Sequence, residues 1–309
     1  MNKKNRFLLF ITAFLIPCFF SCSSIMHVAS ISATIAGATG LIDQNIADSI
    51  SRSTESIGNA AEVITPEMEY TVGVQVASQL LGEYPLYQND DASRYLSKIL
   101  HSLVIHSEKP ELYKGYFIGI LDSEEINAFA TSGGHILITK GLLRCADSED
   151  AVAAVIAHEI SHIQLQHSIK AIKASRNTQA TLDTLSATTV VLSKGDDSVT
   201  EMSKMLDESV GSIISTLVDS GYSVSQEYDA DKNALKLMAD AGYDVSAMND
   251  MLSLLEKNSS GKTKGFVKTH PSAKKRMKKL EKEYQKYSVY TPKECRTERF
   301  LLYKESLGL

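Results

Sequence analysis

Residues 147 to 167 set the terms for everything else in this chain. Asp147 or Ser148 stands at a helix N-cap, and Glu149 and Asp150 fall in the first turn, where the positive end of the helix dipole favours acids. Ala151 to His167 then read as one continuous strong helix. On it lies His158-Glu159-Ile160-Ser161-His162. Residues four apart on a helix stand one above the other, so both imidazoles can reach a single ion. Glu159 is rotated onto the neighbouring face, where it can reach a water held by that ion without being a ligand. Ala151 and Ala154, small residues on the preceding turns, leave room for a site. With 8 histidines in the chain, such a match arises by chance about once in a hundred sequences of this kind. Two imidazoles, one carboxylate and a position left open for water suit one zinc ion per chain.

The third ligand must come from elsewhere. A metzincin site needs Gly three residues and His six residues beyond His162, and here Leu165 and Ser168 stand there. His167 is one position off and reads as a surface residue. Glu227 is the better candidate, because Asp231 lies four residues later on the same helix face. Glu227 can bind the ion while Asp231 accepts a hydrogen bond from the free nitrogen of a ligand histidine, which fixes its tautomer. Glu201 and Glu208 compete as ligands, but neither has a carboxylate four residues on. Further along, His270 precedes Pro271 at a helix entry, and Arg276 sits in the second turn of the lysine-rich helix that follows.

Around these motifs the chain reads as helices beside a small sheet. Thr65-Pro66 open a helix that stops near Gly82, and a second begins at Asp90 or Asp91. Two strand-like runs follow, Tyr116 to Leu121 and His135 to Thr139, joined by a link from Asp122 to Gly134. Ser223 and Gln226 have capping-box spacing at the start of the helix carrying Glu227, with Ala241-Gly242 as its exit. The expected class is α+β and mostly helical. Residues 65–309 form the folded domain in this reading, and 168–222, polar and helical, form a lid-like insertion within it.

Taken together these residues resemble the CAAX prenyl protease family and its soluble bacterial relatives, a gluzincin group of zinc metalloendopeptidases. The resemblance covers residues 65 to 276. It rests on Asn127-Ala128-Phe129-Ala130 with Gly133-Gly134 and Thr139-Lys140-Gly141-Leu142-Leu143, on His158-Glu159-x-x-His162, on Glu227-x-x-Ala230-Asp231, and on His270-Pro271-Ser272 with Arg276. It implies that His270 either stabilises the oxyanion or occupies the open zinc position in a resting, self-inhibited state. It also implies that the strand near His135 to Thr139, with Asn127 and Gly134, binds substrate backbone by strand addition. His135 itself departs from the aromatic or aliphatic residue expected there. The chain has no set of long apolar runs, so processing of prenylated peptides in a membrane chamber is not expected. Envelope proteases of the β-barrel assembly-enhancing kind are the nearer comparison, although no tetratricopeptide repeat is present. Unfolded or misassembled envelope proteins are then the expected substrates, with a non-catalytic or chaperone-like envelope module as the alternative.

The N-terminus supports that compartment. Lys3, Lys4 and Arg6 precede an apolar run from Phe7 to Phe20, broken by Pro17, as in an export signal over residues 1–21. Phe19-Phe20-Ser21-Cys22 resembles a relaxed lipobox, which would make Cys22 a lipid anchor to the membrane on the periplasmic side. Residues 22–64, rich in Ser and Ala, read as a tether or weak amphipathic helix. Loss of residues 1–21 moves the formal charge from −5 to about −8, since three cations leave and no acid does. With no basic stripe either, nucleic acid is not an expected partner. In an oxidising compartment Cys145 and Cys295 form an even pair, and the sequence leaves open a disulfide between them or two isolated buried thiols.

Overall fold

The computed structural model describes residues 65–171, 210–211, 213–258, 265, 269–270, 273–287 and 294–306. The signal, tether and Cys22 readings lie outside these residues, as do Glu201, Glu208 and most of the 168–222 segment. Helix α1 spans Pro66–Glu83 and α2 Asp90–Val104, the latter capped by Asn89, whose side chain accepts from the Ala92 N–H. Strands β1 (Phe117–Leu121), β2 (Ala128–Thr131) and β3 (His135–Thr139) follow, then a short α3 (Lys140–Cys145) and the central α4 (Glu149–Gln164). A π-helical turn at Ser215–Ser220 leads into α5 (Val224–Asp240), followed by α6 (Ala247–Asn258), α7 (Ala273–Tyr284) and α8 (Glu294–Ser306). The expected class, helices around a small sheet, is what forms.

The sheet has the order β1-β3-β2, with β1 parallel and β2 antiparallel to β3. The sequence periodicity marks only two strands; β2 forms inside what reads as their link, from four residues of which two are alanine. β3 is therefore the central strand, and both its edges are already hydrogen-bonded. That corrects the expectation that the His135–Thr139 strand receives a substrate backbone. On β2, Asn127 O accepts from Thr139 N–H, so by antiparallel alternation Ala128 and Ala130, both buried, direct their backbone groups away from β3.

Every residue of α4 from Glu149 to Gln164 is buried. Such a helix can be enclosed because four of its residues are alanines (151, 153, 154 and 157), letting neighbours approach closely. α2, α5, α6 and α8 pack around it, and β2 and β3 lie against it as well. Leu96, Leu100 and Leu103 of α2, Ile136 and Ile138 of β3, and Ala234 and Leu235 of α5 fill the core between them. Ser148 caps α4 through the Ala151 N–H, and Ser223 with Gln226 forms the full capping box on α5. α4 ends earlier than expected, at Gln164; Gln166 takes φ 54 and helix resumes only at His167.

Gly133 and Gly134 make the β2–β3 turn with φ of 82 and 106. A Cβ on Gly134 would stand 2.3 Å from the Gly115 carbonyl, so this glycine is required by the backbone. Among the described residues no disulfide joins Cys145, half-buried, to Cys295, exposed on α8. Of the two readings the separate thiols are found, with Cys295 exposed where that reading has it buried. No described helix is long and apolar enough to cross a membrane.

Candidate metal centre

Helix α4 delivers His158 and His162 one turn apart, and α5 packs alongside with Glu227 at its first turn. Their donor atoms converge with one from His270: the four lie within 4.8 Å of one another, and all four residues are buried. His158 Nε2 is 2.9 Å from His162 Nε2 and 3.6 Å from Glu227 Oε2, and His162 Nε2 is 3.5 Å from Glu227 Oε1. Donors in a tetrahedral zinc shell of ordinary bond length stand about 3.3 Å apart, so these spacings bracket the expected one. His270 Nδ1 is 3.0 Å from Glu227 Oε1, and its Nε2 is 3.6 Å from Glu159 Oε1.

The supports of this cluster are ionic. Asp231, one turn after Glu227, meets His158 Nδ1 at 2.9 Å, which turns the Nε2 of that ring toward the other donors. Arg276 of α7, 1% exposed, donates to both oxygens of Asp231 at 2.6 and 2.7 Å. Its Nη1 lies 2.7 Å from Glu227 Oε2, an ion pair outside hydrogen-bond alignment. Arg276, which the sequence reading had in the catalytic set, stands behind the carboxylates and is enclosed by them.

The electrostatics ask for a cation. Glu159, Glu227 and Asp231 gather around a single guanidinium and the imidazoles of His158, His162 and His270. Burial and the Arg276 charge pull His158 down, yet its hydrogen bonds to Asp231 and Glu227 prevail and raise it to about 9. Burial would raise Glu227 too, but His270 and Arg276 hold it well below the usual carboxylate range. Burial raises Glu159, and its Oε1 is enclosed without a hydrogen-bond partner. Convergent imidazole nitrogens, an ionised glutamate and carboxylates that draw His158 up toward its cationic form fit a divalent metal. Among the residues of the cluster, Glu159 is the carboxylate left without an ion pair to Arg276 or a place among the four converging donors.

Asn127 lies beside the site. Its Oδ1 accepts from the Thr269 hydroxyl at 3.2 Å and from the Ala128 N–H, so the residue before His270 is fastened to the start of β2. Gly134 and His135 are not brought to the cluster. They stand at the opposite end of β3 from Thr139, the residue that Asn127 contacts, about 13 Å along the strand. His135 packs against Phe117 and Tyr70 there, with its Nδ1 3.1 Å from the Thr131 hydroxyl.

Two residues were not foreseen. His167 is buried, 1% exposed, which corrects its reading as a surface residue; its Nδ1 lies 2.8 Å from His162 Nδ1. Tyr222 stacks on the His162 ring at 4.2 Å and 20°. A histidine five residues after His162 is a visible signal, but it stands one position off the metzincin spacing and so reads as a surface residue. Tyr222 has no local signal.

Residues 90–284, well over half the chain, match peptidase family M48. The β-barrel assembly-enhancing protease of Escherichia coli (strain K12) is 25% identical over 240 residues, covering 77% of this chain and 48% of that protein. The mitochondrial metalloendopeptidase OMA1 of Schizosaccharomyces pombe is 28% identical over 193 residues, covering 60% of this chain and 51% of that protein. The metalloprotease LoiP of Escherichia coli (strain K12) is 25% identical over 189 residues, covering 61% of this chain and 69% of that protein. The chain spans about half the length of the first two. The matched span holds every residue of the cluster, and on that extent of agreement the chain belongs to peptidase family M48.

Proposed function

We propose that this chain is a zinc-dependent endopeptidase with His158, His162 and Glu227 as ligands and Glu159 as the base, acting on unfolded or misassembled proteins of a bacterial envelope. The observation that carries the reading is the enclosed Glu159 Oε1, unpartnered beside converging imidazole nitrogens. Export through residues 1–21 and a lipid anchor at Cys22 belong to the same proposal. Support for the compartment comes from the likeness to a β-barrel assembly-enhancing protease.

Zinc, when bound, lowers the pKa of a water in its open position to about 7 and polarises a peptide carbonyl. Glu159 takes the proton from the attacking water and returns it to the leaving amine. Asp231 keeps the Nδ1 proton on His158, so that Nε2 stays available as a ligand, and Arg276 holds Asp231 and Glu227 in register. On the outer side of β2, the Ala128 carbonyl and the Ala130 backbone would be the groups to meet an extended peptide, since the Ala128 N–H is held by Asn127. Asn127 fastens the His270 segment to that same strand.

His270 has a donor atom inside the cluster, which favours a resting state in which it closes the fourth position. It must then swing out before a substrate carbonyl can enter. The test is casein cleavage by the chain from Ser23 onward, with zinc quantified in wild type, Glu159→Gln and His270→Ala. Wild type should cleave, and Glu159→Gln should hold zinc but lose about 10²–10⁴-fold in rate. Faster cleavage by His270→Ala supports the closing role; loss of cleavage assigns it to the oxyanion. Normal turnover by Glu159→Gln removes the proposed base.

A further inference from the structure

The geometry points to His167 as the positioning residue of the metal centre that fixes the tautomer and plane of His162. The inference rests on the reading of His162 as a zinc ligand. Had α4 run on without a break, residue 167 would lie about 140° around the axis from residue 162, out of reach of its ring. The break at Leu165-Gln166 prevents this. Gln166, with φ 54, is the one non-glycine residue with positive φ among those described. A residue with a Cβ adopts that conformation only where its surroundings impose it. Here the surroundings are visible: Gln166 Nε2 donates to Glu69 of α1, and Lys109 Nζ donates to the Gln164 carbonyl at 3.0 Å. The chain then turns back, and the His167 ring meets His162 with centroids 4.8 Å apart and planes at 74°.

The Nδ1–Nδ1 separation of 2.8 Å allows one proton between the two rings. His162 turns its Nε2 toward the cluster, so its Nδ1 carries that proton and donates it to the Nδ1 lone pair of His167. The two ligand histidines are thus held by different acceptors, His158 by the carboxylate of Asp231 and His162 by a neutral imidazole. A second carboxylate at this place would add another buried negative charge beside Glu159, Glu227 and Asp231. A neutral acceptor orients the ligand and adds no charge. Tyr222, stacked on the free face of His162, stops the ring from turning the other way.

The test uses the full chain and zinc itself, with affinity measured by chelator competition and melting measured without metal. Asn at 167 can place an amide oxygen where Nδ1 stands, whereas Leu fills the space and accepts nothing. His167→Leu should weaken zinc binding about 10–100-fold, and His167→Asn should stay within about threefold of wild type. The visible spectrum of cobalt placed in the site should change for His167→Leu alone. Equal zinc affinity for all three proteins, or equal losses for Leu and Asn that follow metal-free melting, would overturn the positioning role. Failure of wild type to bind zinc would instead overturn the zinc reading on which it stands.

Discussion

Helix α4 buries acids at each end, and the two settings are built to opposite specifications. At its N-terminus Asp150 receives a two-pronged Arg296 at 2.7 and 3.0 Å and the Asp244 N–H at 2.8 Å. Beside it Glu149 receives Arg299, and Tyr95 donates to it at 2.5 Å. Two carboxylates face two guanidiniums there, and the helix dipole adds to their attraction. About 12 Å further along the helix, Glu227 and Asp231 share Arg276, and Glu159 has no guanidinium of its own. One end matches each acid with its own guanidinium; the other gathers three acids around one guanidinium and the imidazoles, with Glu159 Oε1 lacking a hydrogen bond. The second arrangement is the one a bound cation would complete.

That contrast can be broken from either side. The largest effect is expected at the balanced end, where Arg296→Ala strands the buried Asp150. It should cost about 3–5 kcal/mol of stability, read as the same drop in denaturant melts with and without zinc. Metal should act only at the other end. Zinc at a hundredfold above its dissociation constant should stabilise wild type by about 2.7 kcal/mol and leave Glu227→Ala unmoved in a thermal melt. Asp231→Ala should lower zinc affinity about 10–100-fold, or about 1.4–2.8 kcal/mol, in chelator competition. The smallest change sharpens the comparison: Ser148→Ala removes the cap of α4 and should cost about 1 kcal/mol without altering zinc affinity. A zinc affinity that tracked Ser148 or Arg296 would mean that the two ends are not independent.

The sequence was legible where an interaction is local. The i, i+4 spacing of His158 and His162 and of Glu227 and Asp231, the Ser148 cap and the Ser223–Gln226 box all lie within one or two helical turns. The fold class followed from the same periodicities. What escaped depends on partners distant in sequence or on a conformation its residue does not advertise. β2 is four residues long, half alanine, and exists because β3 pairs with it. That pairing also placed β3 in the centre of the sheet and made β2 an outer strand. Gln is a poor signal for a left-handed turn, so the break that brings His167 beneath His162 could not be read. Arg296 and Arg299 meet their acids across some 150 residues of chain, and nothing near either arginine announces the pairing.

The most direct test of the account is the mass of the folded chain measured under native conditions after dialysis against zinc, for wild type and Glu227→Ala. One zinc per wild-type chain and none in the variant is the predicted result. Absence of zinc from wild type, or its full retention by Glu227→Ala, would contradict the claim that the open end of α4 exists to hold a divalent metal.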